Sequence, residues 1–175
     1  ISENEAFKNA QGLITESIQT ARSLASELSP PVLYNKGLAE ALKWLSRWMR
    51  QTHGLNVELS IENDLPPIRE TLRVLLFQSI RELLFNIVKH AGTRQARLQM
   101  HREGDCIRID IEDAGCGFSP HLFVQNNTAG EAGFGLFTIK ERLALFNGRF
   151  DICSMPGRGT VIPLAAPLQT TDSGN

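Results

Sequence analysis

The sequence predicts an α+β fold: a two-layer sandwich with helices on one side of a mixed, mostly antiparallel sheet, preceded by a long bundle-type helix. Three observations predict it. Apolar residues recur every three or four positions in several stretches, as on one face of a helix. In other stretches they alternate with polar residues, as on a half-buried strand. Both kinds of stretch are interspersed without an internal repeat, which favours one layered domain.

Length and composition limit the possible classes of protein. The 175 residues suffice for one compact domain with a modest appendage, and 42% hydrophobic with 21% charged residues is ordinary for a globular protein. The net charge of −1 gives no field that would attract nucleic acid, so no nucleic-acid partner is expected. No apolar run approaches the roughly 20 residues that a membrane-spanning helix needs.

The cysteines and the first residue bear on where the protein resides. Cys106, Cys116 and Cys153 are odd in number and form no CxxC pair, so a reducing compartment is indicated and a zinc or disulfide framework is not expected. No secretory signal is visible. The chain starts at Ile1 rather than Met, so we expect a piece of a longer protein. We predict a cytoplasmic location, which leaves open an inner-membrane anchor in the parent protein.

The first predicted element is a helix over residues 3–29. Apolar or small residues recur there at alternating spacings of three and four, which is the heptad pattern of a helix-packing seam. The seam residues are Phe7, Ala10, Ile14, Ser17, Ala21, Leu24 and Leu28. The small seam residues favour packing in a helical bundle, although packing within this domain is the alternative. Pro30 and Pro31 end the helix, and we place a domain boundary between residues 33 and 34.

The middle of the chain alternates helix and strand. An amphipathic helix is predicted over 36–52, with Gly54 at its C-terminal cap. Alternating apolar residues over 55–61 predict a half-buried strand. Residues 64–67 form a loop, and 68–91 are predicted to form a long central helix.

The remaining elements complete the sandwich. A strand over 96–100, a hairpin turn at 104–105 and a strand over 107–111 come first, and Asp113 follows the end of the second strand. A mobile lid is predicted over 115–133 and a helix over 136–146. The last elements are strands over 149–154 and 160–165 around a turn at 156–157. Residues 34–168 are thus one predicted domain, and 169–175 a frayed tail.

Polar residues on the central helix suggest a site. Glu82 and Asn86 are four apart and share one face, with Lys89 and His90 one turn further along. A solvated helix face is the alternative for the first pair, and a capping or packing role is the alternative for His90. Asp113 stands alone at the end of its strand, where it could also be an ordinary turn residue before glycine.

Three glycine-containing loops follow these residues. They read DAGCG over 113–117, GFGL over 133–136 and GRGT over 157–160, of which the last could be a plain hairpin. The sequence contains neither the GxxxxGK[ST] phosphate loop nor the third glycine of a dinucleotide fingerprint. An amide, an isolated carboxylate and glycine loops therefore indicate a nucleotide site of another kind.

These residues resemble the ATP-binding domain of sensor histidine kinases, within the superfamily that includes gyrase and MutL ATPases and has the Bergerat-type ATPase fold. Residues 82–91 resemble the asparagine box, 113–117 the DxGxG box, 133–142 the GxGLxxxxER box and 157–160 the GxGT box. The order and approximate spacing agree over residues 55–166. The segment 28–44 resembles the lead into this domain in the nitrate-sensor-like and DesK-like subfamily, where the preceding helix is the second helix of a dimeric bundle.

The resemblance implies roles for single residues. Asn86 is expected to coordinate Mg²⁺, Asp113 to accept a hydrogen bond from the adenine amine, and Thr160 to reach the adenine side. Lys89 or His90 is expected near phosphate. From the glycine boxes, the resemblance implies nucleotide-binding positions at Gly115, Gly117, Gly133, Gly135 and Leu136.

Glu82 has an open role. In hydrolysing relatives an equivalent carboxylate activates water, so Glu82 is the candidate catalytic residue. In histidine kinases the attacking group is a histidine nitrogen, and Glu82 could instead orient the metal shell or the domain.

The resemblance implies a protein histidine kinase that uses ATP and Mg²⁺, forms a homodimer through its bundle and passes the phosphoryl group to a response regulator receiver domain. The acceptor histidine is expected outside this chain, because none of its four histidines lies in an ELHD-like context. Two alternatives remain: a serine kinase and anti-sigma factor of the same superfamily, and a non-catalytic interaction module with a vestigial ATP site.

Overall fold

The computed structural model describes residues 11, 13, 14, 30–120 and 131–168, with side chains omitted for 131–134. The described elements are α1 (Pro31–His53), β1 (Asn56–Ile61), α2 (Glu70–Asn86), a π-helical turn (Ile87–Ala91), β2 (Gln95–Glu103), β3 (Cys106–Asp113), α3 (Glu131–Ala144), β4 (Arg149–Phe150), β5 (Cys153–Ser154) and β6 (Thr160–Pro167). Among the described residues, none of the helices has the length and apolar character of a bilayer span.

The sheet is mixed and mostly antiparallel, as the sequence predicts. Its strand order is β1-β2-β3-β6-β4, and β5 pairs with β6. β1 and β2 are parallel because α2 crosses between them, whereas the other pairs are antiparallel. The predicted two-residue turn joins β2 to β3 at Gly104, where φ is 62°.

The core lies between the helices and one face of the sheet. Residues alternate between buried and exposed along β2, β3 and β6, so each strand contributes every second side chain to this face. Among the fully buried side chains are Phe77 and Ile80 from α2, Leu42 from α1 and Leu98 from β2. Each such side chain contributes about 1.5–3 kcal/mol, and together they fix the helices over the sheet.

The predicted start of the second helix is wrong by several residues. α1 begins at Pro31, where the missing N–H of proline costs no helical hydrogen bond. Gly37 interrupts it with φ of 85° and ψ of −177°, a conformation that only glycine adopts readily. The predicted 33/34 boundary thus lies inside the first turn of α1. The C-terminal cap at Gly54 is confirmed, with a left-handed backbone and an N–H that donates to the Arg50 carbonyl.

The central helix also differs from its predicted range of 68–91. Regular α-helix ends at Asn86, and the next five residues form a wider π-helical turn that ends before Gly92. In this turn the Ala91 carbonyl accepts a hydrogen bond from the Cys116 N–H at 2.7 Å. The helix therefore widens into a π-helical turn where it contacts the loop after β3. The apolar periodicity of the helix does not reveal this widening.

Two boundaries near the predicted lid and last hairpin are wrong as well. α3 begins at Glu131, so the last three residues of the predicted lid, 131–133, are helical. Residues 121–130 lie outside the described residues. The predicted strand over 149–154 is two short strands, with Asp151 and Ile152 between them.

The predicted first helix falls almost entirely outside the described residues, as does the tail 169–175. Gln11, Leu13 and Ile14 are helical. Ile14 is the one seam residue among them and is 60% exposed.

Candidate nucleotide site

Asp113 and Thr160 face each other at the centre of the site. Asp113 ends β3, Thr160 begins β6, and the two are partners in the strand pairing. Because Asp113 continues the alternation of Ile109 and Ile111, its side chain is on the core side of β3, where it is 7% exposed. Thr160 is 8% exposed. Two polar side chains thus interrupt an otherwise apolar face of the sheet.

The Asp113 carboxylate has little compensation for its burial. Burial raises its pKa; the Gly115 N–H, which donates to Oδ1 at 2.8 Å, acts in the opposite direction, and the charge of Glu112 adds a smaller upward shift. A ligand N–H donated to this carboxylate would offset its lost hydration. The geometry therefore suits a ligand that donates a hydrogen bond to this carboxylate.

The loop after β3 packs so closely that side chains are excluded at its glycines. A Cβ at Gly115 would collide with the Ala91 carbonyl oxygen, and one at Gly117 with the Met155 carbonyl oxygen. Gly117 also has φ of 59°, which disfavours other residues. The loop is thus held between the π-helical turn and the β5–β6 turn.

The GRGT turn closes on the same loop from the other side. A Cβ at Gly159 would collide with the Asp113 carbonyl oxygen, and φ there is 73°. The Gly157 N–H donates to the Cys116 carbonyl at 2.6 Å. Two of the predicted glycine boxes are therefore in direct backbone contact, and the plain-hairpin alternative does not account for this packing.

Ser154 connects these parts and was missed at the level of sequence. Its Oγ lies 2.9 Å from the Phe118 N, 3.0 Å from the Gly159 carbonyl oxygen and 2.9 Å from Thr160 Oγ1. Its cross-strand partner is Thr160. The β5–β6 register would identify Ser154 as a neighbour of Thr160. The sequence predicts one continuous strand over 149–154, which hides this register.

The helical side of the site contributes Asn86 and His90. Both line the cavity, and the Asn86 Nδ2 atom is buried without a hydrogen-bond partner among the described residues. Lys89 is exposed and is not among the residues that line the cavity. The π-helical turn therefore directs His90, but not Lys89, to the cavity.

Glu82 meets Gly135 of the second glycine box, and neither residue lines the cavity. A Cβ on Gly135 would come within 3.0 Å of Glu82 Oε1, so this carboxylate lies at the contact between α2 and α3. Leu136 is buried and lines the cavity. Gly133 lies in the first turn of α3.

These residues surround one cavity of about 250 Å³. Its lining is Asn86, Ile87, His90, Ala91, Asp113, Cys116, Gly117, Phe118, Leu136, Thr160 and Ile162. The fold thus brings together six of the predicted site residues, and Gly115 packs directly behind them. The apolar part of the lining carried no sequence signal, since such residues occur throughout the core.

The described residues contain no group of three His, Cys, Asp or Glu side chains that could hold a metal ion. Mg²⁺ commonly keeps several waters and binds through one or two protein oxygens together with substrate phosphates. The amide oxygen of Asn86, which lines the cavity, is a ligand of this type. The buried Nδ2 atom, which lacks a partner among the described residues, can only donate and suits a phosphate oxygen rather than the metal. A Mg²⁺ ion here would be held jointly by Asn86 and a nucleotide.

Comparison with known families decides the class of this fold. The family described as histidine kinase-, DNA gyrase B-, and HSP90-like ATPase matches residues 71–170, more than half of the chain. The chain belongs to this ATPase family. The match covers the asparagine box and all three glycine boxes, so the predicted resemblance and the ATP-binding class of the domain are confirmed.

Relatives of this ATPase domain are named as histidine kinases. The chain is 26% identical over 161 residues to the oxygen sensor histidine kinase NreB of Staphylococcus carnosus. It is 31% identical over 153 residues to an uncharacterized sensor-like histidine kinase of Chloroflexus aurantiacus. The alignments cover 92% and 85% of this chain but 45% and 25% of those proteins. The chain thus spans less than half the length of either relative.

Solved structures of histidine kinases share the fold. The blue-light activated histidine kinase of Erythrobacter litoralis EL346 superposes with a TM-score of 0.65 at 15% identity, over 89% of this chain and 52% of that chain. The histidine kinase AdeS of Acinetobacter baumannii gives 0.60 at 12% identity, over 97% and 87%. The predicted two-layer α+β fold is therefore confirmed.

Proposed function

We propose that this chain is the catalytic domain of a two-component sensor histidine kinase, which binds ATP with Mg²⁺ and presents its γ-phosphoryl group to a histidine of the parent protein. The observation that carries the proposal is the buried Asp113 carboxylate beside Thr160 in the cavity, on a fold of the histidine kinase ATPase family. The response regulator, the homodimer and the cytoplasmic location remain predictions that depend on this proposal.

The adenine base is assigned to the sheet side of the cavity. Asp113 would accept a hydrogen bond from the exocyclic amine, while the apolar side chains of Ile87, Leu136 and Ile162 would cover the ring. Guanine carries a carbonyl where adenine carries this amine, so it would leave the buried carboxylate facing another acceptor. The site should therefore prefer ATP over GTP.

The phosphates are assigned to the helical side. Asn86 would offer its amide oxygen to Mg²⁺, and His90 lies at the cavity where it could contact phosphate. Bound Mg²⁺ would neutralise phosphate charge. Glu82 lies beside Gly135 at the α2–α3 contact and does not line the cavity, so we propose that it takes no part in proton transfer.

Calorimetry with ATP and GTP, with and without Mg²⁺, tests this assignment. We expect the chain to prefer ATP by at least about a hundredfold, and Asp113→Asn to lose most of that preference. Asn86→Ala should retain ATP binding but lose its dependence on Mg²⁺. Asp105→Asn is the matched control, because Asp105 is fully exposed in the β2–β3 turn. Absence of ATP binding to the unmodified chain would refute the proposal and favour the interaction module.

Phosphoryl transfer is tested separately. With ATP labelled at the γ position, we expect no acid-labile phosphohistidine on this chain alone, because none of its four histidines lies in the expected acceptor context. Adding a fragment that carries the first bundle helix of the parent protein should produce the label on that fragment. A phosphohistidine on the isolated chain would contradict the assignment of the acceptor.

A further inference from the structure

The protons around Ser154 can be assigned from its neighbours. A serine hydroxyl has one proton to donate and two lone pairs that accept. The Phe118 N–H can only donate, so Ser154 Oγ accepts from it. The Gly159 carbonyl oxygen can only accept, and two oxygens 3.0 Å apart need a proton between them, so Ser154 donates its proton there.

This assignment decides the direction of the third hydrogen bond. Ser154 Oγ and Thr160 Oγ1 are 2.9 Å apart, and either could in principle be the donor. Because Ser154 already donates its only hydroxyl proton to the Gly159 carbonyl, Thr160 must be the donor to Ser154. The Thr160 hydroxyl then has no proton left and can act toward the cavity only as an acceptor.

The cavity therefore presents two acceptors from paired strands. Asp113 contributes a carboxylate and Thr160 an acceptor-only hydroxyl, and the two residues are direct partners in the β3–β6 pairing. A ligand amine with two N–H groups, or an amine and a bridging water, satisfies both. A ligand carbonyl at the same place satisfies neither and faces two oxygen lone pairs.

We propose that Ser154 is a positioning residue for nucleotide selectivity. By accepting a hydrogen bond from the Thr160 hydroxyl, it makes the base pocket accept an exocyclic amine and reject a carbonyl. This inference rests on the proposed ATP site and deepens it, since Ser154 is not among the residues that line the cavity and acts through Thr160.

ATP and inosine triphosphate are the appropriate pair of ligands for a test. At position 6 of the purine, ATP has an amine and inosine triphosphate a carbonyl, and the neighbouring N1 carries a proton only in inosine triphosphate. Both differences are the same for every variant, so a change of preference between variants reports a change in the pocket. The measured quantity is the ratio of their dissociation constants, obtained by calorimetry on the whole chain. In Ser154→Ala the Thr160 hydroxyl is released and can turn to donate to a carbonyl, so we expect this ratio to fall about tenfold.

Three further variants separate positioning from a general structural role. Ser154→Thr keeps the hydroxyl and should keep the ratio. Ser46→Ala removes a partly buried serine hydroxyl that donates to the Val57 carbonyl, and should leave the ratio unchanged. In a Thr160→Val background, Ser154→Ala should no longer change the ratio, because the group through which it acts is absent.

The outcomes distinguish this inference from the proposed function. If the unmodified chain binds ATP but Ser154→Ala weakens both nucleotides equally, Ser154 is only structural and the inference is wrong. An equal fall of the ratio in the Thr160→Val background would also overturn it. If the unmodified chain does not bind ATP, the proposed function is wrong, and this inference, which depends on it, is wrong as well.

Discussion

The two sides of the cavity are built differently. We define two walls, each made of residues that line the cavity and residues that pack behind them. The sheet wall comprises Asp113, Gly115, Gly117, Ser154, Gly159 and Thr160, and the helix wall comprises Asn86, His90, Gly135 and Leu136. In the sheet wall, glycines exclude side chains from backbone contacts, and hydrogen bonds run between Ser154 and its neighbours. In the helix wall, Asn86 Nδ2 is buried without a partner among the described residues, and the atoms nearest to a Cβ on Gly135 belong to the flexible Glu82 side chain.

This difference suggests a division of labour. A wall fixed by backbone contacts can hold acceptors in place before the ligand arrives, which is what selective recognition of a base requires. A wall that meets the cavity through side chains can adjust to phosphates and metal as they bind. Substitutions at the glycines of the sheet wall should therefore cost stability and selectivity together, whereas those in the helix wall should affect binding alone.

The largest effect is expected at Gly159. Gly159→Ala adds a Cβ that collides with the Asp113 carbonyl at a backbone φ of 73°. We expect a loss of roughly 3 kcal/mol in the free energy of unfolding, from overpacking and from the left-handed backbone together. Chemical denaturation measures it.

Gly157→Ala is the matched control for that substitution. Gly157 lies in the same turn with φ of 77°, but a Cβ there meets nothing within 4 Å. We therefore expect only the backbone cost of about 1 kcal/mol. Equal losses in the two variants would show that close packing of the turn against β3 contributes nothing.

Asp113→Asn should separate stability from binding. Burial raises the Asp113 pKa, so the folded state binds this proton more tightly than the unfolded state does. The stabilising contribution is present below the unfolded pKa of about 3.9 and is lost as pH rises through the raised folded pKa. At pH 7, Asp113→Asn without nucleotide should therefore be more stable than the unmodified chain.

Denaturation of both proteins between pH 4 and pH 7 measures this difference, which should shrink as pH falls. Asp105→Asn, the same carboxylate-to-amide change at a fully exposed position, is the matched control. A variant that is less stable at pH 7 would show that the Gly115 hydrogen bond outweighs the burial of the charge.

Gly135→Ala should be tolerated by the fold. Glycine in a helix interior costs about 1 kcal/mol relative to alanine, and the Glu82 carboxylate opposite it can move aside. We expect a thermal midpoint that is unchanged or slightly raised. A large destabilisation would mean that the helix wall is as closely packed as the sheet wall.

The smallest effects are expected at the two exposed side chains of the π-helical turn, Lys89 and His90. Lys89→Ala and His90→Ala should each change the free energy of unfolding by less than about 0.5 kcal/mol. Because His90 lines the cavity and Lys89 does not, only the His90 variant should weaken ATP binding, by a few-fold. The reverse order of effects would contradict the orientation of this turn.

Most of the fold could be predicted from periodicity and turn residues. The alternation of Ile107, Ile109 and Ile111 gives β3 and, continued by two residues, places Asp113 on the core face. The hairpin at Gly104 and the cap at Gly54 follow from the backbone freedom of glycine. These features are local, so a single sequence contains the information.

The missed features depend on contacts between distant segments. In the π-helical turn, the Ala91 carbonyl accepts a hydrogen bond from the Cys116 N–H, and the sequence of residues 87–91 does not indicate that contact. α3 starts at Glu131 although glycines over 130–135 favour a loop, and the buried Leu136, Ile139 and Leu143 fix it against the core. Ser154 depended on a strand register that only the folded sheet defines.

The parallel pairing of β1 with β2 has a consequence for the folding pathway. β2 and β3 are joined by two residues and can pair as soon as the turn at Gly104 forms. β1 can pair with β2 only after the whole of α2 and the π-helical turn have been brought across the sheet, which requires closing a much longer loop. We therefore expect amides of the β2–β3 hairpin to become protected from hydrogen exchange early in refolding, and those that join β1 to β2 to follow.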